Sequence, residues 1–415
     1  MTSGDEHEKG VPRRSLLYRA GAVGAGAAAA LGLRGVSAEA ATRPPFDVTA
    51  YGATGDGSTD DTAAFQAAIH AAVAASGTLL IPAPSVHYRL TSPLIIEPPS
   101  GAQCHMHIAA ESADYSQIVY TGASAVFRST GWKRSTVSNV KIRLADSTDG
   151  VIGWDIDGDA ARPSTSNLTF VGCDVTGVDP ANPVGWGLGC RSGDAGIDIS
   201  FVDWVNCNVG FNNANGGVGF ANEGSNSLVH SWFGCQTDNC GAGWSNRHAG
   251  HAGNSSMYLY GCAGGYNECD LQFTASEGTF TCLGGRFEHG KRFLDTGGGG
   301  GRFSKAVHIA AVTIAAYAPP DGIVVNVEQA AKIFFGEVIA YPGGAVPFGA
   351  TMFRLHTASG ADGGYGTLHL RGCHMACSAD PPYTIVAGNW RTKVQGCTRM
   401  VSGTDFQTAG FFTER

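Results

Sequence analysis

FVGC (Phe170–Cys173), WVNC (Trp204–Cys207), WFGC (Trp232–Cys235) and LYGC (Leu259–Cys262) are one phrase written four times: an apolar strand end, a small residue, then cysteine. Weaker copies follow as LGG (Leu283–Gly285), IAA (Ile309–Ala311), FFGE (Phe334–Glu337), LRGC (Leu370–Cys373) and VQGC (Val394–Cys397). Their last residues lie 34, 28, 27, 23, 26, 26, 36 and 24 positions apart. A period of this length marks a solenoid, whose units bury their apolar faces only by stacking on one another. The repeated segments are short, punctuated by glycine, rich in Val, Ile, Phe and Thr, and separated by no helical pattern. The expected fold is all-β, a parallel β-helix with function on its outer wall.

Working outward, the cysteines of the four strong copies share one position of successive coils. They should form an inward ladder with rungs about 4.8 Å apart. Buried free cysteine acts as a small hydrophobe, so reduced thiols are expected in preference to disulfides. The close paired spacing of a structural zinc site is missing, and no cofactor is expected. The chain has 60 glycines in 415 residues and a formal charge of −8. That balance argues against nucleic acid as a partner.

The first forty residues read as a targeting segment. Arg13 and Arg14 open the run RRSLL, a weakly apolar Ala/Gly stretch runs from Ala20 to Leu33, and Ala38-Glu39-Ala40 offers a cleavage site. Twin arginines before such a stretch point to twin-arginine export from a bacterium. The stretch is too short and glycine-rich for a membrane span, so no membrane partner is expected. Residues 41–415 are expected to form one domain: strand and helix over 46–77, coils over 78–400, and a tail over 401–415.

Residues 46–73 read FDVTAYGATGDGSTDDTAAFQAAIHAAV. A short strand and a glycine-rich turn lead to a helix near Asp60 and Asp61, with Phe65, Ala68, Ile69, Ala72 and Val73 at helical spacing. The helix would cap the open end of the solenoid and cover strand edges. This segment, with TLLIP (Thr78–Pro82) and HYRLTSPLII after it, resembles the opening of the pectate-lyase-like superfamily, which includes polygalacturonases, rhamnogalacturonases and tailspike depolymerases. The resemblance implies a right-handed parallel β-helix acting on polysaccharide. It carries no catalytic residues across. The paired-Asp and Gly-His-Gly signature of polygalacturonases is absent, and the acidic calcium cluster of pectate lyases is not recognisable. Asp56, Asp60 and Asp61 read as turn and cap residues.

Register between coils places the candidate chemistry. Counted from Cys207, Cys235, Cys262 and Gly285, offset +3 holds Gly210, Asp238, Gly265 and Glu288. Offset +4 holds Phe211, Asn239, Tyr266 and His289, and offset +6 holds Asn213, Gly241, Glu268 and Lys291. Asp238 and Glu288 should therefore stand about 10 Å apart, with Glu268 in the coil between them. Paired carboxylates at such distances serve glycoside hydrolysis, so Asp238, Glu268 and Glu288 are the catalytic candidates. Arg247, His248, Tyr266, Asp270, His289 and Lys291 are candidates for substrate binding, the basic ones for an acidic sugar. Phe220, Trp244 and Phe273 align as an inward aromatic column, and Asn222 with Asn246 as an amide ladder. Three excursions, Asp174–Gly196, Asp295–Ser304 and Ile339–Gly366, would wall a cleft.

The function expected is a secreted polysaccharide-cleaving glycoside hydrolase. Two alternatives stay open: a polysaccharide lyase using a Lys, Arg, His or Tyr base, and a carbohydrate-binding β-helix without turnover.

Overall fold

The computed structural model describes residues 43–408, apart from 112–116, 146–148, 163, 193–197, 225, 247–253, 274–276, 298–303, 328–330, 343–351, 357–364, 378–381, 388 and 403–404. One coil shows the plan. Ser164–Val171 runs to a corner at Gly172, Asp174–Thr176 follows, and a longer link leads to Val184–Leu188 before the next coil starts at Asp198. Among the described residues, the first two strands belong to a wide sheet of 25 strands that turns the corner, and the third to a narrow sheet of 11 strands. Strands pair in parallel with their counterparts one coil away, as in Phe170↔Trp204↔Trp232↔Leu259. The exception among the described residues is the antiparallel pair Thr398–Ser402 and Asp405–Thr408. Parallel strands joined by crossovers wind right-handed, because strand twist favours that hand.

The corner explains the repeated phrase. Its residue adopts the left-handed conformation, with φ 60° at Gly172, 62° at Gly234 and 51° at Asn206. Glycine takes this region without a Cβ clash, and asparagine tolerates it. The next residue then turns inward, and Cys173, Cys207, Cys235 and Cys262 fall in one buried column between the paired strands. All twelve cysteines are free thiols. The thiols of Cys235 and Cys262 donate to the carbonyls of Trp204 and Trp232 one coil back, each at 3.4 Å. Burial pushes the Cys207 and Cys235 thiols well above their ordinary range. Two weak copies are offset by one. Ala311 and Glu337 themselves occupy the corner, each with φ 54°. Val312 and Val338 are the buried residues that follow them.

Two aromatic stacks fill the middle coils. On the narrow sheet Phe127 stacks on Trp154 at 4.1 Å, Trp186 on Phe220 at 5.0 Å, and Phe220 on Trp244 at 5.6 Å. On the wide sheet Trp204 lies 4.7 Å from Trp232 with planes 1° apart. The stacks meet edge to face, as at Phe220–Trp232, 5.8 Å. The column expected to continue at Phe273 continues at Leu271 instead. Trp244 pairs with Leu271, and Phe273 lies beside Asn246. The 27-residue spacing of Cys235 and Cys262 carries through to this strand, whereas matching aromatic to aromatic slips the register by two. Asn222 and Asn246 are both buried and adjacent in register, as the amide ladder requires.

Two of the expected excursions contain strands. Asp174–Gly196 includes Asp174–Thr176 and Val184–Leu188, and Ile339–Gly366 includes Phe353–His356. Their alternating apolar residues are few, which hid them in glycine-rich surroundings.

The helix α1 spans Thr62–Ala75 and buries Phe65, Ala68, Ile69 and Ala72 on the first coil. Its Gln66 amide does the work of a strand, donating to the Ile95 carbonyl at 3.0 Å and accepting from the Ile95 amide at 2.7 Å. The edge of the narrow sheet's first strand, Leu94–Ile96, is thereby satisfied. Asp61, just before the helix, accepts from the amides of Thr54 and Gly55 at 2.7 and 3.2 Å. Asp60 accepts from the Thr62 amide at 3.1 Å, and Asp56 from those of Ser58 and Thr59. The three acids are turn and cap residues.

Candidate functional site

A second corner lies where the wide sheet ends. Asp238, Gly265, Glu288 and Ala315 form one column, read directly from strand pairing. The residues after them, Asn239, Tyr266, His289 and Ala316, all have left-handed backbones, with φ 52°, 54°, 60° and 57°. Each amide after the first of these columns donates to the next coil: Asn239 to Gly265 O, Tyr266 to Glu288 O and His289 to Ala315 O, at 2.9–3.0 Å. The ladder thus continues through the turn and holds it. A tyrosine and a histidine in this conformation are uncommon, because a Cβ there crowds the backbone. Their rings stack at 4.7 Å with planes 7° apart, and Tyr266 is 44% exposed.

Charged groups surround that pair. Asp238 is half-buried, and burial raises its carboxyl above the usual range while a hydrogen bond from Asn239 Nδ2 at 3.0 Å opposes the rise. A Cβ placed on Gly265 would lie 2.9 Å from Asp238 Oδ1, so the carboxyl occupies the space over the bare rung toward Glu288. Glu288 is gripped by Arg286 on its own strand, Nε to Oε2 2.7 Å. The two carboxyls therefore stand between one and two rungs apart, about 5–10 Å. Glu268, past the corner in the intervening coil, pairs with Lys291 of the next coil at 2.6 Å.

The structure thus brings together Asp238, Tyr266, Glu268, Glu288, His289 and Lys291. It removes Asp270 from the outer wall, where the sequence places it. That residue is fully buried inside the coil, accepts from Asn267 Nδ2 at 2.7 Å and bonds the Tyr317 hydroxyl. The strand departs from regular alternation there, with Asp270 and Leu271 both buried, and the space over Gly264 admits the carboxyl. Arg247, His248 and His251 lie outside the described residues.

Sequence reasoning missed the polar line on the narrow sheet's outer side. Asp155 is 1% exposed, and Arg191 reaches back to it, Nε to Oδ2 2.6 Å, while Arg128 lies 3.6 Å away. Burial raises the Asp155 carboxyl and the guanidinium of Arg191 opposes it. Neighbouring Asp157 accepts from the amides of Arg191 and Ser192, pinning the loop. Farther along, Asp321 joins Arg292 at 2.9 Å and Arg354 at 3.5 Å. Partners 27–36 residues apart leave no local signal, and Gly187 and Ala221 interrupt the column. Among the described residues no group of three or more His, Cys, Asp or Glu side chains is arranged to hold a metal ion. No helix among them is long and apolar enough to cross a membrane.

No protein-family model and no curated protein matches the chain. Solved structures do. An Acinetobacter phage tailspike is 11% identical over 89% of this chain and 66% of its own, TM-score 0.48. The A-module of a mannuronan C-5 epimerase from Azotobacter vinelandii is 15% identical over 86% of this chain and 99% of its own, TM-score 0.47. The catalytic unit of an alpha-1,3-glucanase from Streptomyces thermodiastaticus is 16% identical over 85% and 68%, TM-score 0.35. The register of its coils, with the capping segment before them, makes the chain a right-handed parallel β-helix, the fold of the pectate-lyase-like superfamily.

Proposed function

We propose that this chain is an exported enzyme that cleaves polysaccharide as a glycoside hydrolase, at the second corner of its coils. The observation that carries the reading is the stacked Tyr266–His289 pair, held in left-handed backbone beside Asp238 and Glu288. Strained, exposed rings flanked by carboxyls are a combination that functional sites tolerate and plain surfaces seldom keep. Asp238, whose carboxyl is raised by burial, is the proton donor to the glycosidic oxygen. Glu288, held by Arg286, is the carboxylate on the other side of the bond, and Glu268 with Lys291 borders the sugar. Tyr266 and His289 receive a sugar ring edge.

Digestion of a panel of neutral and acidic glycans tests this, read by new reducing ends and by ultraviolet absorbance. Reducing ends without absorbance are expected. Asp238→Asn and Glu288→Gln should each lower kcat by about 100-fold or more while the unfolding midpoint holds. Absorbing, unsaturated products would replace hydrolysis by elimination, with His289, Tyr266 or Lys291 as base. Full activity in both variants would move the chemistry elsewhere on the wall.

A further inference from the structure

Behind the outer corner runs an inner one. Each left-handed residue is followed by a member of a second column: Asn239 by Cys240, Tyr266 by Asn267, His289 by Gly290 and Ala316 by Tyr317. Asn267 ties three parts of this column together. Its Oδ1 accepts from the Cys240 amide at 2.8 Å, and its Nδ2 donates to Thr237 Oγ1 at 2.9 Å and to Asp270 Oδ1 at 2.7 Å. The other oxygen of Asp270 meets the Tyr317 hydroxyl, 47 residues on in sequence. Asp270 thus spans from the coil of Tyr266 to that of Ala316, passing the coil of His289.

Gly290 makes this span possible. A Cβ there would lie 2.8 Å from Tyr317 Cε1 and 3.0 Å from Asp270 Oδ2. Gly264 is equally committed, since its Cβ would lie 2.2 Å from Asp270 Oδ1. Both bare positions abut the residues that carry the site: Gly290 follows His289, and Gly264 precedes the Gly265 gap that the Asp238 carboxyl fills. We propose that Asp270 is the positioning residue of the outer site, acting through Asn267 and Tyr317 to hold the corners that present Tyr266 and His289. The inference rests on the reading of that corner as a glycan site, but the geometry it predicts is measurable without any glycan. Burial raises the Asp270 carboxyl well above its ordinary range, and the hydrogen bond from Asn267 opposes the rise. A neutral acid offers one donor and one acceptor, which suits the Asn267 amide on one side and the tyrosine hydroxyl on the other.

The full-length chain and its Asp270→Asn, Asp270→Ala and Tyr317→Phe variants test this by the histidine ring resonances, assigned to His289 with a His289→Gln control. Asparagine keeps a carbonyl acceptor for the Asn267 amide and an N–H donor for the tyrosine hydroxyl, so Asp270→Asn should keep the His289 shift and the KM for any cleaved glycan. Asp270→Ala and Tyr317→Phe should move the His289 ring resonance as the stack opens, and raise KM about tenfold with kcat less affected. Should Asp270→Ala not fold, Tyr317→Phe decides, because it removes one hydroxyl and keeps the ring. An unmoved His289 resonance in folded Tyr317→Phe overturns the positioning role even if the glycan reading stands. A moved resonance in a chain that cleaves no glycan upholds the positioning role and removes the glycan reading alone.

Discussion

Single residues in this chain are read correctly only when their side of the strand is known. Asp270 and Glu268 sit two apart in sequence, yet one is sealed in the coil and the other pairs with Lys291 at the surface. The difference has a pH signature. The folded state raises the Asp270 carboxyl well above its ordinary value, so its contribution is fully favourable below the unfolded value of about 3.9. It is lost as pH rises through the folded value, since the unfolded chain releases the proton first. Asp270→Asn removes this term. Urea titrations at pH 4.5, 6 and 8 should show the variant gaining stability relative to the native chain as pH rises above 4.5. A constant difference across that range would mean that Asp270 ionises as readily inside as outside. The sequence showed an acid here but pointed it outward, because Cys269–Phe273 alternates apolar and polar residues while the fold buries both Asp270 and Leu271.

At the scale of the element, the two corners carry the architecture and differ in what they tolerate. The first is built from Gly and Asn with few exceptions, and this regularity made the repeat visible. Gly372 has φ 62° and open space around its Cβ direction, the nearest atom being Glu337 Cγ at 3.6 Å. Gly372→Ala should therefore cost about 1 kcal/mol of stability from backbone strain alone, with Gly372→Asn costing less, measured by urea unfolding. Equal stability of all three would remove left-handed strain as the reason for the motif. The second corner holds Asn239, Tyr266, His289 and Ala316. It has no common residue type, so its offset from the cysteine column was legible while its left-handed backbone was not. The capping helix was legible in full outline from Phe65, Ala68, Ile69 and Ala72. The strand-like bonding of Gln66 was not, since a glutamine on a helix has many possible partners.

Over the whole molecule, the stack divides stability among neighbouring coils in place of one central core. Trp204 touches rings in its own and adjacent coils, with Phe170 at 6.0 Å and Trp232 at 4.7 Å. Trp204→Ala should cost about 3–5 kcal/mol, with hydrogen-exchange protection lost in the coils bearing Phe170, Trp204 and Trp232 before the terminal ones. Uniform loss from end to end would contradict a nearest-neighbour stack. By itself the sequence determined the solenoid, its period, the inward thiols and the column that joins Asp238 to Glu288, because each depends on a residue type recurring at nearly fixed spacing. Only the tertiary structure decided that Asp270 is inside, that Leu271 and not Phe273 continues the aromatic column, and that Arg191 returns to Asp155. Those outcomes depend on which side of a strand a residue faces and on how a loop folds back across coils, and neither leaves a periodic mark along the chain.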